Sequence, residues 1–330
     1  MNTTPPSTLH PNSTTPSDRP TSDHEQPQVD ATFRVPAAGR RVLVLGGGGS
    51  TGNAWLIGVI AGLFDAGLDA TTADLTIGTS AGSTAAAQLA GATPAALLSA
   101  ILDAPPQPPA GPAASRSARS SERVAEHLER MTRIIGAAAD AADMRRRLGA
   151  AALGMDAASD DSVQERWRAT VAARLPSQHW PERTLLITAV DAHTGEPVVF
   201  DRHSGVDLAD AVAASCASGF AYRIGGAHYI DGGYRHNAEN ADLAAGYARV
   251  LVLSPFSGRT LTPVDWDTSL ATQVEELRAG GSSVETIFPS GDFEHLFGAN
   301  AMDLSLRPAA AQAGYRQGRA RASQLTEFWR

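Results

Sequence analysis

The sequence predicts an α/β fold with a largely parallel central sheet. Continuous apolar runs, such as Val42–Leu45 and Val250–Leu253, are typical of strands buried on both faces. The first of these runs and the next, Leu75–Ile77, each lead through a glycine-containing turn into a segment with helical apolar spacing. This strand–turn–helix order, repeated within about fifty residues, indicates parallel strands covered by helices.

The predicted elements follow in chain order from Arg41. A helix is expected from Ala54 to Phe64, because its apolar residues keep helical spacing, and Gly67 suits its C-terminal end. The strand at Leu75–Ile77 and an alanine-rich helix come next. The later predicted elements are strands at Thr184–Val190 and Val198–Phe200, a short helix over Asp207–Ala214 capped by Asp207, a strand at Tyr229–Ile230, a helix over Asn240–Gly246, a last clear strand at Arg249–Leu253 and a helix over Pro308–Trp329.

Two stretches fall outside this pattern. Residues 1–38 are rich in Ser, Thr, Pro and Asp and poor in large apolar side chains, so we expect a disordered tail before a folded domain over 39–330. Residues 104–120 form a Pro/Ala/Ser-rich linker, and an arginine-rich helical segment follows, so about 104–180 is predicted to be a linker plus helical insert. The insert is either an ordinary solvated one or a lid, in which Arg145, Arg146 and Arg147 could meet anionic headgroups.

Composition excludes several classes of function. The net charge of −8 argues against a nucleic-acid partner. All 27 basic residues are arginine, so a pyridoxal Schiff base, a Walker A lysine and a Ser-Lys dyad are impossible. The single cysteine, Cys216, excludes an internal disulfide and is expected to serve packing, and no metal-binding spacing such as H-E-x-x-H occurs. We therefore expect neither a cofactor nor a metal.

The sequence also bears on the compartment. No run of about 18 apolar residues occurs, so we expect no transmembrane helix. The N-terminal stretch lacks a charged region followed by an apolar one, so we expect no signal peptide. A cytoplasmic protein is the resulting expectation, with peripheral contact to a membrane surface left open.

The central motif is Gly78-Thr79-Ser80-Ala81-Gly82, which matches G-x-S-x-G. Its position between a predicted strand and a predicted helix is that of a nucleophile elbow, with Ser80 at the apex. Gly78 and Gly82 are expected where the backbone folds too tightly for side chains. The amides that begin the following helix would point toward charge developing near Ser80.

The glycine run after the first strand has two functional interpretations. Gly47, Gly49 and Gly52 match the G-x-G-x-x-G dinucleotide fingerprint, but the acidic residues at a suitable distance, Asp69 and Asp74, precede the second strand. Alternatively, consecutive glycines expose amides that receive an oxyanion. A tight turn without function is the third option. The pairing with a serine elbow favours an oxyanion hole, which we place at Gly47, Gly48, Gly49, Ser50 and Gly52.

A serine nucleophile needs a base. Asp231 ends a short predicted strand, and Gly232 and Gly233 after it allow close backbone approach. Ligand sites in α/β sheets gather at strand ends, so Asp231 is the candidate base, although a simple turn aspartate is the alternative. In an α/β-hydrolase with a Ser-Asp-His triad, His236 or His295 would supply the histidine.

These motifs together resemble the patatin-like phospholipases over about Arg41–Leu253. The matching segments are Gly47–Gly52 as the glycine-rich oxyanion motif, Gly78–Gly82 as the elbow, Asp231–Gly233 as the D-G-[AG] motif, Ala214–Ala217 as the small-residue block and Asn240–Leu243 as the block after the aspartate. The resemblance implies a three-layer α/β/α sandwich, a Ser80–Asp231 dyad without histidine, and hydrolysis of lipid or phospholipid esters without a metal.

The chain departs from the family pattern at three places. Ser50 and Thr51 stand where many relatives carry Arg or Lys in the glycine loop. Ser218-Gly219 and the polar stretch 235–239 replace prolines that are usual after the small-residue block and after D-G-G. No catalytic group is lost, so we expect a serine acyl hydrolase, with a Ser-Asp-His esterase, a non-catalytic lipid-binding relative and a nucleotide-binding module as alternatives.

Overall fold

The computed structural model describes residues 40–105, 126–156 and 161–330. The predicted tail over 1–38 and most of the predicted linker over 104–120 lie outside these residues. The described part of the chain forms a three-layer α/β/α sandwich around a mostly parallel sheet, as predicted.

The sheet has eight strands in the described residues. Hydrogen-bonded neighbours follow one another as β5-β6-β3-β2-β1-β7-β8, β4 also pairs with β3, and β6 and β2 pair with different parts of β3. The strands β2, β3, β7 and β8 continue the parallel set that begins with β1, whereas β4, β5 and β6 run antiparallel to their partners. The strands are β1 (Arg41–Leu45), β2 (Leu75–Gly78), β3 (Thr184–Asp191), β4 (Pro197–Phe200), β5 (Tyr222–Ile224), β6 (Ala227–Asp231), β7 (Arg249–Leu253) and β8 (Ser283–Ile287).

Helices cover both faces of the sheet. The helices are α1 (Gly49–Asp65), α2 (Ala81–Gly91), α3 (Pro94–Leu102), α4 (126–136), α5 (Ala141–Asp156), α6 (Asp161–Ala172), α7 (Leu208–Ser215), α8 (Leu270–Ala279) and α9 (Arg307–Trp329). Alternate residues of β1 divide between the two sides, because side chains along a strand point to opposite faces. Leu43 and Leu45 join the core under α1, α2, α7 and α9, whereas Val42 and Val44 join the core under α8.

Strand β3 brings two strand ends together. Its Ile187 pairs with Gly78 of β2 on one edge and with β4 on the other. Its Ala189 pairs with Asp231 of β6 on one edge and again with β4 on the other. Because β4 occupies a single edge, β2 and β6 must share the opposite one. The ends of β2 and β6 therefore meet two residues apart along β3.

Helices α1 and α9 pack with their backbones in close contact. A Cβ built at Gly58 would lie 2.0 Å from the carbonyl oxygen of Ala311, and one at Gly62 would lie 2.2 Å from that of Tyr315. Gly314 and Gly318 of α9 meet the backbone of α1 equally closely. Small residues spaced four apart on both helices thus allow this approach, which larger side chains would prevent.

Four local predictions need correction. The strand β8 follows β7, so Arg249–Leu253 is not the last strand. The predicted helix over Asn240–Gly246 is only a short 3-10 turn at Ala241–Ala244. Asp207 precedes α7 but makes no side-chain capping bond, and its carboxylate accepts instead from Arg168. Helix α1 begins at Gly49, before the predicted start at Ala54, so Gly49–Gly52 forms its first turn.

The arginines predicted to meet headgroups are partly engaged within the protein. Arg145 donates to the backbone carbonyl oxygens of Gly195 and Arg235. Arg146 and Arg147 form ion pairs with Asp143 of the same helix and stay about half exposed. Arg145 therefore holds the insert against the sheet domain.

Neither a membrane span nor a metal cluster is found among the residues that the structure covers. Within them, no single helix is long and apolar enough to cross a membrane, and only α2 and α3 taken together, bent by 119°, reach the required length and hydropathy. No group of three or more His, Cys, Asp or Glu side chains in those segments could hold a metal ion.

Candidate active site

Ser80 occupies the sharp turn between β2 and α2. Its backbone adopts φ 52° and ψ −116°, a region that non-glycine residues rarely enter. The tight turn needs glycine on both sides. A Cβ at Gly78 would lie 2.7 Å from the Cα of Ser83, and one at Gly82 would lie 1.8 Å from the carbonyl oxygen of Leu45. The chain around Ser80 thus forms the predicted strand, turn and helix.

The hydroxyl of Ser80 donates a hydrogen bond to Asp231 Oδ2 over 2.9 Å. The other carboxylate oxygen, Oδ1, accepts from the amide of Gly233 over 2.8 Å, and the Asp231 amide donates to the carbonyl of Ala217. Gly232 allows this placement, because a Cβ there would lie 2.2 Å from the carbonyl oxygen of Thr188. Both carboxylate oxygens are therefore oriented, one of them toward Ser80.

Burial dominates the electrostatics of Asp231. The residue is only 7% exposed, and this burial raises the pKa of its carboxyl to about 6, against the opposing effect of its hydrogen bonds from Gly233 and Ser80. The carboxylate is thus a stronger base than an exposed aspartate, yet it is still ionised at neutral pH. These properties suit a group that accepts a proton from a neighbouring hydroxyl.

Unpaired amides surround the space beside Ser80. Within the described residues, the amides of Gly48, Gly49, Ser50 and Ala81 make no hydrogen bond. The glycine loop lies against the serine, since a Cβ built at Gly47 would be 3.6 Å from Ser80 Cβ. These donors come from the first turns of α1 and α2, where a helix attracts negative charge. The arrangement offers a cradle for an anion next to the Ser80 hydroxyl.

Gly47 and Gly52 do not fit their predicted function as oxyanion donors. The amide of Gly47 donates to the carbonyl of Ala238 over 2.8 Å, and the amide of Gly52 donates to the carbonyl of Gly48 over 3.0 Å. An engaged amide cannot also bind an oxyanion, so the predicted set reduces to Gly48, Gly49 and Ser50. Gly52 instead allows close packing on Pro255, because a Cβ there would lie 3.1 Å from Pro255 Cβ.

A buried polar cluster ties the nucleophile turn to the aspartate turn. The Asn240 side-chain amide donates to Thr79 Oγ1 over 3.0 Å, to Thr188 Oγ1 over 3.3 Å and to the Gly232 carbonyl over 2.9 Å. The two threonine hydroxyls also bond each other. Sequence analysis missed this cluster, because its members come from four separate segments, although Asn240 was noted as part of a family block.

Small side chains support the back of the elbow. Ser215 Oγ accepts from the Ser80 amide over 2.9 Å, and the Cys216 thiol lies 3.1 Å from the Ser80 carbonyl oxygen. Burial, with a smaller effect of the Asp231 charge, raises the pKa of the Cys216 thiol to about 11. A thiol with that pKa stays protonated and is no competing nucleophile, in line with the expected packing function.

Neither candidate histidine contacts the serine. His236 lines the cavity into which Ser80 and Asp231 open, but its ring bonds the backbone carbonyl of Asp267 over 3.5 Å. His295 lies in an exposed 3-10 turn at Gly291–Leu296 and does not line the cavity. A third histidine of the cavity, His127 of α4, bonds Ser218. The geometry therefore offers Asp231, and none of these histidines, as the base beside Ser80.

The pair opens into a cavity of about 2140 Å³. The insert helix α4 contributes Leu128, Met131 and Ile135 to its lining. Several lining side chains are apolar and still exposed to solvent. These exposed side chains are Leu102, Leu128, Leu261, Met302 and Leu304.

The family model for patatin-like phospholipases matches residues 43–244, more than half of the chain. The chain belongs to the patatin-like phospholipase family. The resemblance drawn from the motifs is thereby confirmed, and so is the general class of lipid acyl hydrolase. A search among curated proteins finds no match for this patatin-like protein. The matched region ends before β7, so α8, β8 and α9 lie beyond it.

Proposed function

We propose that this patatin-like protein hydrolyses carboxylic esters of lipids through a Ser80–Asp231 dyad. The observation that carries the proposal is the 2.9 Å hydrogen bond from Ser80 Oγ to Asp231 Oδ2. Ser80 attacks the ester carbonyl carbon while its proton passes to Asp231. The free amides of Gly48, Gly49 and Ser50 stabilise the resulting oxyanion.

Collapse of the tetrahedral intermediate breaks the ester bond. The leaving alcohol takes the proton from Asp231, and the acyl group stays on Ser80 as a new ester. A water molecule then gives a proton to Asp231 and attacks the acyl carbonyl. The carboxylic acid leaves, and the proton returns to the serine oxygen. Each proton transfer in the cycle uses the same carboxylate, so no histidine is needed.

The cavity supports a lipid as the substrate. Its lining is mostly apolar, which favours acyl chains over polar groups. The exposed apolar side chains at Leu261, Met302 and Leu304, which are 52%, 56% and 41% exposed, border the same cavity and suit transient contact with a membrane surface. In this proposal the protein is cytoplasmic and meets lipid at that rim.

An activity screen tests this function. p-Nitrophenyl esters of increasing acyl length and phospholipid vesicles are incubated with the wild-type protein and with Ser80→Ala. We expect hydrolysis by the wild type, with kcat/KM rising with acyl length, because each buried methylene stabilises the bound ester by about 0.8 kcal/mol. Hydrolysis by Ser80→Ala at the wild-type rate would contradict the proposal.

The raised pKa of Asp231 predicts a pH dependence. The carboxylate must be ionised to accept a proton, so kcat/KM should fall about tenfold per pH unit below about pH 6. The profile is measured with a neutral ester between about pH 4.5 and 8, with circular dichroism at each pH.

A second buried acid provides the control for this profile. Burial raises the pKa of Glu239 to about 7, and this residue lies beneath Gly46 of the glycine loop. Glu239→Gln should keep the decline below pH 6, since Asp231 remains. A rate that stays constant from pH 7 to about pH 5 in the folded wild type would contradict Asp231 as the base.

A further inference from the structure

Arg307 is a half-buried cation at the glycine loop. It begins α9, and its guanidinium donates to the Ser50 carbonyl over 2.8 Å, to Ser50 Oγ over 3.1 Å and to Asn53 Oδ1 over 3.0 Å. All three acceptors are neutral. Among the described residues, no carboxylate forms an ion pair with Arg307, although its guanidinium is partly removed from water.

The bonds of Arg307 leave donors unused. A guanidinium carries five N–H groups, and three of them are engaged with Ser50 and Asn53. Arg307 lines the cavity that contains Ser80, so the remaining donors are available to a molecule in that cavity. A planar guanidinium with spare N–H groups is well suited to an oxyanion such as phosphate.

Arg174 lies on the same wall of the cavity. Asn53, which accepts from Arg307, donates to Gln88 Oε1 over 3.0 Å, and Gln88 in turn donates to the Arg174 carbonyl over 3.1 Å. Burial and, secondarily, the charge of Arg174 lower the pKa of Arg307, which places the two charges within electrostatic reach. In the described segments, the Arg174 side chain has neither a hydrogen bond nor an ion pair.

The charge of this wall contrasts with the rest of the protein. The chain carries a net charge of −8, yet Arg174 and Arg307 remain without a carboxylate partner in the part of the chain described here. The acidic residues of the cavity lining, Asp103 and Asp231, pair with neither arginine. Arg259 also lines this cavity and bonds the Phe256 carbonyl. Three arginines without a carboxylate partner among the described residues therefore face one cavity in an acidic protein, which indicates that an anion enters there.

We propose that Arg307 and Arg174 form an anion subsite that binds the phosphate of an ester substrate held for attack by Ser80. This inference rests on the proposed ester hydrolysis, to which it adds a preference for esters that carry a phosphate. Because Arg307 is bonded to Ser50 of the oxyanion cradle, the bound phosphate lies on the cradle side of the reacting ester. The subsite is completed by α9, which lies outside the region matched by the family model.

The test compares two esters that differ only in the phosphate. Dihexanoyl phosphatidic acid and dihexanoylglycerol are used below their aggregation limits, and the ratio of their kcat/KM values is measured. We expect Arg307→Gln to lower this ratio by about 10- to 100-fold, the effect of a lost charge-assisted hydrogen bond. Arg174→Gln should lower it by about 3- to 10-fold, because Arg174 is exposed.

Arg319→Gln is the matched control. It lies on the same helix and removes the same charge, but it pairs with Asp65 and does not line the cavity, so the ratio should stay at the wild-type value. A second arm measures inhibition of dihexanoylglycerol hydrolysis by inorganic phosphate, which separates a free anion from a headgroup. If phosphate inhibits the wild type but not Arg307→Gln, the subsite accepts both free phosphate and a headgroup phosphate. If phosphate does not inhibit the wild type but Arg307→Gln lowers the kcat/KM ratio of the two esters, the subsite binds a headgroup phosphate alone.

Three results would overturn the inference. They are an unchanged ratio in both Arg307→Gln and Arg174→Gln, an equal fall in Arg319→Gln, and phosphate inhibition without any change of the ester ratio. Arg174→Gln keeps the test valid if Arg307→Gln is unfolded, because Arg174 makes no side-chain contact that the fold requires. If the wild type hydrolyses neither ester but Ser80 is intact, the proposed function fails, which is a distinct outcome.

Discussion

Asp231→Asn is expected to reduce kcat for ester hydrolysis by about 10⁴-fold or more while leaving the protein folded. An amide keeps the size of the carboxylate, and its single oxygen can still accept the bond from the Gly233 amide while its NH2 group faces Ser80. It cannot accept a proton, so Ser80 stays a neutral hydroxyl and does not attack. The measurement is the rate of p-nitrophenyl ester hydrolysis together with the far-UV circular dichroism spectrum.

The same substitution should stabilise the protein at alkaline pH. The pKa of Asp231 is raised from 3.8 to about 6 by burial, so the ionised carboxylate destabilises the folded state by up to about 3 kcal/mol above pH 6. This destabilisation disappears as the pH falls below 3.8, the pKa of Asp231 in the unfolded chain, because the carboxyl is then protonated in both the folded and the unfolded state. In urea unfolding, Asp231→Asn should therefore exceed the wild type in stability at pH 8 and approach it near about pH 4.

Asp103→Asn is the matched control for this experiment. Asp103 lines the same cavity but has no bond to Ser80, so its variant should keep wild-type activity. A fluorophosphonate probe should label wild-type Ser80 and leave Ser80→Ala unlabelled. Near-wild-type turnover by purified Asp231→Asn would show that another group accepts the proton.

Gly82→Ala is expected to destabilise the fold by about 3–5 kcal/mol and to abolish activity. The added Cβ would lie 1.8 Å from the Leu45 carbonyl oxygen, which is backbone and has no rotamer with which to move away. That oxygen also accepts from the Thr79 amide, so its displacement disturbs the turn that holds Ser80. Urea unfolding and ester hydrolysis measure the two effects.

Gly154→Ala provides the opposite expectation for the same chemical change. Gly154 lies in α5 with no atom within 4 Å of a built Cβ, so alanine should stabilise the protein by about 0.5–1 kcal/mol. Equal stabilities of the two variants would mean that the backbone contact at Gly82 relaxes without cost.

Local sequence signals predicted the parts of the fold that depend on nearby residues. The elbow around Ser80, the strand that ends at Asp231 and the parallel strands of the centre all carry their own glycine or apolar pattern. The strand β8 carries a weaker apolar pattern, because Ser283–Ile287 lies at the edge of the sheet and includes the exposed Ser283 and the half-buried Glu285 and Thr286. Its strand conformation comes from pairing with β7, which no local pattern reports.

Contacts between residues far apart in the sequence could not be predicted either. Arg307 and Ser50 are 257 residues apart, and nothing in either segment indicates that they meet. Asn240 reaches Thr79 across 161 residues in the same way. The prediction that the Gly47 and Gly52 amides bind an oxyanion is wrong for a related reason. Both amides donate to backbone carbonyls, and those bonds depend on where the loop lies and where α1 begins.

The shared edge of β3 sets the distance between Ser80 and Asp231, because the strand ends next to them pair with β3 residues two positions apart. Ile187 and Ala189 hold the ends of β2 and β6 through backbone pairing, and the helical insert contributes nothing to that pairing. Changes in the insert or in the cavity rim should therefore leave the distance between Ser80 and Asp231 unchanged. A slip of β6 by one residue would instead turn the Asp231 carboxylate to the far side of the sheet, away from Ser80.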